Sequence, residues 1–206
     1  MTLNQIKINK QSHLEQPWRV HSLLEDFDIE DVWRVPVKLK QEHSLDLFLN
    51  QFMESNEQVT QKGLAGFLFR LRLFLGKIFN WDEKQQIDHL LPGSIRERYA
   101  KAENQKFKDL PDPGTGDFIP VYQLEDEYLS EIENKTVHAA LHIGRVQIAG
   151  GYGIHMAVYV KPKGLFGKAY MKLIQPFRHW IVYPALMKSA KKSWERYYGK
   201  VLLVDS

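Results

Sequence analysis

Glutamates and histidines crowd into one short stretch of this chain. Tyr128 to Glu133 and Thr136 to Ile143 flank Asn134-Lys135, a residue pair that suits a two-residue hairpin turn. With that turn Glu133 faces Thr136, Glu131 faces His138, and His142 shares the face of His138. Partners directly across an antiparallel ladder lie about 5 Å apart at Cβ, so Glu131 and His138 can form a hydrogen-bonded pair. A carboxylate holding an imidazole is an arrangement that general acid–base catalysis uses. The same two residues also suit the wet face of a sheet with no chemistry at all, and register alone leaves both readings open.

Other chemistries find less in the sequence. His138 and His142 lie four strand residues apart, roughly 13 Å at about 3.3 Å per residue, whereas ligands of one ion converge on bonds of about 2 Å. His155 can approach from the next strand, but two histidines without a placed carboxylate make a poor site, and no metal is expected. Gly151-Tyr152-Gly153 opens a predicted strand instead of leading from a strand into a helix, and Met156 stands where a dinucleotide fingerprint needs its third glycine. The Gly-Lys pairs at 76–77 and 167–168 lack the spacing of a phosphate loop, and no Gly-x-Ser-x-Gly elbow occurs. The chain has no cysteine, which removes disulfides, thiolate nucleophiles, thiolate zinc sites and cysteine-bound iron–sulfur clusters together. No cofactor is expected.

The elements that would position the hairpin lead towards the C-terminus. From Phe166 to Tyr198 large apolar residues recur at steps of three and four, through Tyr170, Leu173, Phe177, Trp180, Met187 and Trp194, which is one stripe of an α-helix expected to be buried. Pro176 and Pro184 each lack an amide hydrogen and predict kinks or breaks. Before that helix the period is two. Strands are expected at Phe27 to Val35, Phe118 to Leu124, Tyr128 to Glu133, Thr136 to Ile143 and Tyr152 to Val160, with Pro36 and Pro120 marking edges or bulges.

Ser44 is a plausible N-cap for a helix running from Leu45 to about Ser55. Gly63 to Trp81 is the most apolar segment, but Arg70, Arg72 and Lys77 interrupt it, so it reads as a buried or surface-lying helix rather than a membrane span. Pro92-Gly93 predicts a turn before Ser94 to Tyr99, and Pro111 to Asp117 predicts a loop.

With 206 residues, 44% of them hydrophobic and 26% charged, the chain suits one folded α+β domain over residues 25–206, preceded by a polar arm at 1–24. No apolar run of signal-peptide length opens the sequence, so a cytoplasmic location is expected. The formal net charge of +3 hides an asymmetry: Lys161 to Ser206 holds ten Lys or Arg against Glu195 and Asp205, a local +8 that leaves −5 for the rest. No nucleic-acid motif accompanies the basic segment. A solvated outer face accounts for it, and an anionic membrane surface is the alternative partner. The oligomeric state is not legible.

The abundance of large side chains, eleven Phe, nine Tyr and five Trp, suggests a function of another kind. A sheet curled around an aromatic helix can leave a cavity that holds a small lipophilic or aromatic molecule, and Tyr152, His155, Tyr159, Tyr170 and Trp180 are candidates to line it.

Three segments carry a resemblance: Ser94 to Tyr99, Tyr128 to Gly144, and above all Phe166 to Met187 with its Phe-Gly-x2-Tyr-x5-Pro-Phe pattern. They resemble the domain-of-unknown-function family 2867, which looks like a member of the START-like, birch-pollen-allergen-like superfamily. The resemblance covers roughly residues 27–198. It implies a helix-grip fold, an antiparallel sheet of about seven strands wrapped around the last helix with two shorter helices earlier. The superfamily holds polyketide cyclases, aromatase-type dehydratases and lipid carriers. The resemblance sharpens the fold and leaves function open between a ligand-binding module, a cyclase- or dehydratase-type enzyme with Glu131 and His138 as its acid–base pair, and a lipid carrier or peripheral membrane protein, readings that rest on the residues above. The family has no agreed catalytic residues, and none is carried over.

Overall fold

The computed structural model describes residues 6–60, 93–103, 118–133 and 136–204. The expected helix at Gly63 to Trp81, the loop at Pro111 to Asp117 and the Asn134-Lys135 pair lie outside them. The described chain is α+β. Two short helices, α1 (Lys10–Leu14) and α2 (Val20–Leu23), precede β1 (Asp28–Leu39), and α3 (Leu45–Thr60) and α4 (Ile95–Ala102) follow. Strands β2 (Ile119–Gln123), β3 (Glu127–Glu133), β4 (Val137–Ile148) and β5 (Gly151–Pro162) come next. The C-terminal run is α5 (Gly164–Phe177), a π-helical segment (Arg178–Val182) and α6 (Tyr183–Val204).

The strands form one open antiparallel sheet in the order β1-β5-β4-β3-β2, so the described residues supply five strands where seven were expected. Both strand prolines sit where a missing amide donor does least harm. Pro36 lies in edge strand β1 within the register shift between Val35 and Leu39, and Pro120 lies in edge strand β2 at the shift between Pro120 and Tyr122. Lys7 forms an antiparallel bridge with Trp33, so residues 6–8 run along the outer edge of β1.

Strand alternation gives the sheet two covered faces. On one, Trp33, Val35, Tyr128, Ile143, Ile154 and Met156 pack with Leu45, Phe48 and Phe52 of α3 and with Tyr183, Met187, Ala190 and Trp194 of α6. On the other, Val32, Leu129, Ala140, Ala157 and Tyr159 pack under Trp18, Val20 and Leu24 and against Ile95 of α4. Residues 10–24, expected to form a polar arm, thus lie on the sheet as part of a layer. Ser44 caps α3 as expected, its Oγ accepting from the amide of Leu47 at 3.1 Å.

The long apolar stripe is not buried along its whole length. Tyr183, Met187, Ala190 and Trp194 are buried, but Leu173, Phe177 and Trp180 are exposed, and α5 turns Gly167 and Met171 inward. The breaks expected at Pro176 and Pro184 are realised as the π segment between them. A π turn accommodates an extra residue, and at about 100° per residue one extra residue rotates the downstream face by that angle. The buried face of α6 is therefore out of phase with that of α5. A continuous period of three and four in the sequence does not reveal such a shift.

Candidate functional site

The hairpin is built differently from the expectation, yet its key pair survives. Glu133 pairs with His138 and Glu131 with Ala140, a register two residues away from the expected one. A slip of two preserves the face, whereas a slip of one reverses it. Glu131 and His138 become diagonal neighbours, joined through Oε2 and Nε2 at 2.8 Å and nearly closed to solvent.

The rest of that carboxylate is occupied. Glu131 accepts the amides of Ile95 at 2.8 Å and Arg96 at 2.9 Å, the first two residues of α4, whose N-cap Ser94 accepts from Glu97. An anion at a helix N-terminus answers both the free amides and the helix dipole. Glu131 thus pins α4 to the sheet, and His138 supports the pin.

The same construction recurs four residues along each strand. Glu127 meets His142 diagonally, Oε2 to Nε2 at 3.2 Å, and accepts the Arg19 amide at 2.8 Å, the Val20 amide at 3.4 Å and the Tyr122 hydroxyl at 2.9 Å. Burial pushes the Glu127 carboxyl up, but the bonds from His142, the Arg19 amide and Tyr122 outweigh it and hold the group below its ordinary value. This second clasp fastens the start of α2.

Beneath the N-terminal cover the histidines gather. His13 and His21 come from the cover, His142 from β4 and His155 from β5. The ring of His13 lies 5.2 Å from that of His142, 5.4 Å from His21 and 6.1 Å from His155, with the Trp18 indole among them. The Tyr159 hydroxyl bridges His13 Nε2 at 3.0 Å and His21 Nδ1 at 3.1 Å. Burial lowers the pKa of all four, His13 to about 2 and His155 to about 4. Among the described residues no group of three or more His, Cys, Asp or Glu is arranged to hold a metal ion. Nothing in the polar N-terminal sequence singled out His13 or His21. The only available signal was the recurrence of histidine near the lone tryptophan of that stretch.

The expected ligand-lining residues do not share one place. His155 and Tyr159 point to the covered histidine face, away from α6, because they alternate with Ile154 and Met156 along β5. Tyr152 is half-buried on the α6 face under the Arg145 guanidinium, 4.3 Å from its ring centre. Tyr170, on α5 itself, is half-buried, and Trp180 is 76% exposed. Between the sheet, α3 and α6 there is a cavity of only about 10 Å³, lined by Val35, Phe48, Ile143 and Met187 among others.

Among the described residues, the outward face of α5 is the feature left without a packing partner. Its inner side is fixed: a Cβ on Gly167 would stand 2.2 Å from the Thr136 carbonyl oxygen, so only glycine lets the helix lie this close to the start of β4. Met171 packs with Val137, Ala139 and Val160. On the outer side Leu165 is 86% and Leu173 58% exposed, and Phe177 and Trp180 follow on the same side. At about 100° per residue, Leu165, Ala169, Leu173, Phe177 and Trp180 fall within an arc of roughly 120° that contains no charge. Exposed Lys168 and Lys172 flank it. The C-terminal end is held by Arg178 on Glu30 at 2.7 Å and by His179 on buried Asp31 at 2.9 Å, where Lys7 also bonds at 3.2 Å.

The model of the family described as Protein of unknown function (DUF2867) matches residues 23–185. The chain belongs to this family. The part matched to DUF2867 contains the sheet, both Glu–His clasps, α5 and the π segment, and it begins after His13, Trp18 and His21. Comparison with curated proteins and with solved structures returns no match.

Proposed function

We propose that the protein is a peripheral membrane-associated protein that seats the outer face of α5 and the π segment on an anionic lipid surface. The observation that carries this is the uncharged arc of Leu165, Leu173, Phe177 and Trp180 on a helix whose other side is docked. Monomeric proteins seldom expose a contiguous apolar patch without a use for it, and aromatic residues beside lysines suit the boundary between headgroups and acyl chains. Lys168 and Lys172 lie where they would meet headgroup phosphates, and each basic residue near an anionic surface contributes about 1 kcal/mol. A second copy is a poorer occupant, since two such faces in contact would bring their lysines together. Among the described residues no helix is long and apolar enough to cross a membrane.

Flotation with vesicles containing about 30% anionic lipid, compared with neutral vesicles, tests the reading. Binding to anionic vesicles that is lost in Leu173→Glu, with the fold intact by circular dichroism, supports it. Equal and negligible recovery with both vesicle types ends it. The lipophilic-ligand reading, with the helix-grip kinship it accompanies, gains no support from a sheet–helix interface closed to about 10 Å³. Acid–base catalysis by Glu131 and His138 gains none either, because the carboxylate already accepts from two helix amides and the imidazole.

A further inference from the structure

We propose that residues 10–24 form an acid-released cover, closed over the sheet while the histidines of the joint are neutral and opened when those histidines take up protons. Each of the four imidazoles has one buried ring nitrogen without a partner: Nδ1 of His13, His142 and His155, and Nε2 of His21. Buried polar atoms are rarely left so, and four at one joint make it costly to charge while closed.

The groups facing the cluster decide which way it responds. From β3 comes Glu127, whose oxygens are engaged by His142, Tyr122 and the two amides of the cover. Beside β5, Arg34 of β1 pairs with His155 and adds a positive charge. From the cover, the Arg19 guanidinium turns away to Glu103. Tyr122 and Tyr159 are neutral phenols whose pKa values burial raises further. Among the described residues His142 therefore has one carboxylate beside it, while His13 and His155 have none within hydrogen-bonding reach.

A proton on His13 or His155 thus favours separation of the cover from the sheet. Histidine is the side chain suited to this between pH 5 and 8, and a buried cluster on a separable element is how a pH switch is assembled. Each histidine that is neutral when closed and free to titrate when open makes opening about 25-fold easier on going from pH 7 to pH 5. Two such residues give several hundred-fold.

Hydrogen–deuterium exchange of the full chain, corrected for the intrinsic pH dependence of amide exchange, reads this directly. At pH 5 the protection of residues 10–24 is expected to fall more than 100-fold relative to pH 7, with residues 137–162 of β4 and β5 remaining far better protected than the cover at both pH values. The double variant His13→Gln with His155→Gln should lose most of that pH dependence. If this variant does not fold, the wild-type comparison still decides. A cover whose protection is unchanged at pH 5, or one that is lost only together with β4 and β5, overturns the proposal.

Discussion

The indole of Trp18 lies so close over Gly144 that a Cβ built on the glycine would come within 2.4 Å of the indole Cζ2. The ring is hemmed in by His13 at 4.8 Å and His142 at 4.9 Å, so it has no free direction in which to yield. Overpacking of this sort typically costs about 1–3 kcal/mol. Gly144→Ala is therefore expected to lower the denaturation free energy by that amount, read from urea midpoints at constant slope. A variant as stable as the parent would mean that the indole slides aside.

How much of this architecture could be read from the sequence depends on what set each part. Strand periodicity and the prolines at 36 and 120 placed the strands and marked both edges, because a residue without an amide donor restricts its own position. The Ser44 cap was likewise a local signal. The stripe from Phe166 to Tyr198 misled, since the π turn rotates the buried face partway along and leaves Leu173 and Trp180 in solvent. The Glu131 and His138 pairing was right about face and wrong about register, because alternation constrains parity and not the turn length. His13 and His21 were invisible: their burial comes from residues more than 100 positions away, and no local period records that.

The two clasps carry a stability prediction. In Glu131→Gln the charge is removed while most of the shape remains, so the Ile95 and Arg96 amides face a neutral acceptor and His138 loses its carboxylate. Hydrogen bonds to a charged buried group contribute about 1.5–3 kcal/mol, and a loss of about that size is expected. Chemical denaturation measures the total, and amide exchange at residues 95–98 should show that α4 loosens first. An unchanged midpoint would remove the anchoring role argued for Glu131.

Acid should weaken the whole fold in a defined window. Burial lowers His13 from 6.5 to about 2 and His155 from 6.5 to about 4, and it lowers His142 in the same direction. When the folded pKa is below the unfolded one, the unfolded chain binds more protons between the two values, so falling pH favours unfolding. The stability associated with neutral burial is complete above about pH 6.5 and is lost progressively as pH falls from there towards the folded values. The slope should not exceed about 1.4 kcal/mol per pH unit for each histidine, and half-buried His21 contributes less because solvent screens it. Urea midpoints between pH 5 and 8 should be flat at the upper end and decline below 6.5. A midpoint independent of pH across that range would contradict this.

Surface attachment through α5 should respond to salt in a way that separates its two components. Lys168 and Lys172 act through an electrostatic attraction that decays over about 8 Å at physiological ionic strength, whereas Leu165, Leu173 and Trp180 act by removing apolar area from water, which salt does not screen. Reversing both lysines, Lys168→Glu with Lys172→Glu, is expected to reduce affinity for anionic vesicles by on the order of tenfold or more at low salt, and by less as salt rises, with neutral vesicles unaffected. Trp180→Ala should instead weaken binding by a similar factor at every salt concentration. Titration by vesicle co-sedimentation at about 50 and 500 mM salt distinguishes the two variants. Should both lose affinity in parallel across that range, the lysines would have no separate electrostatic part, and the face would have to be assigned to a purely apolar partner.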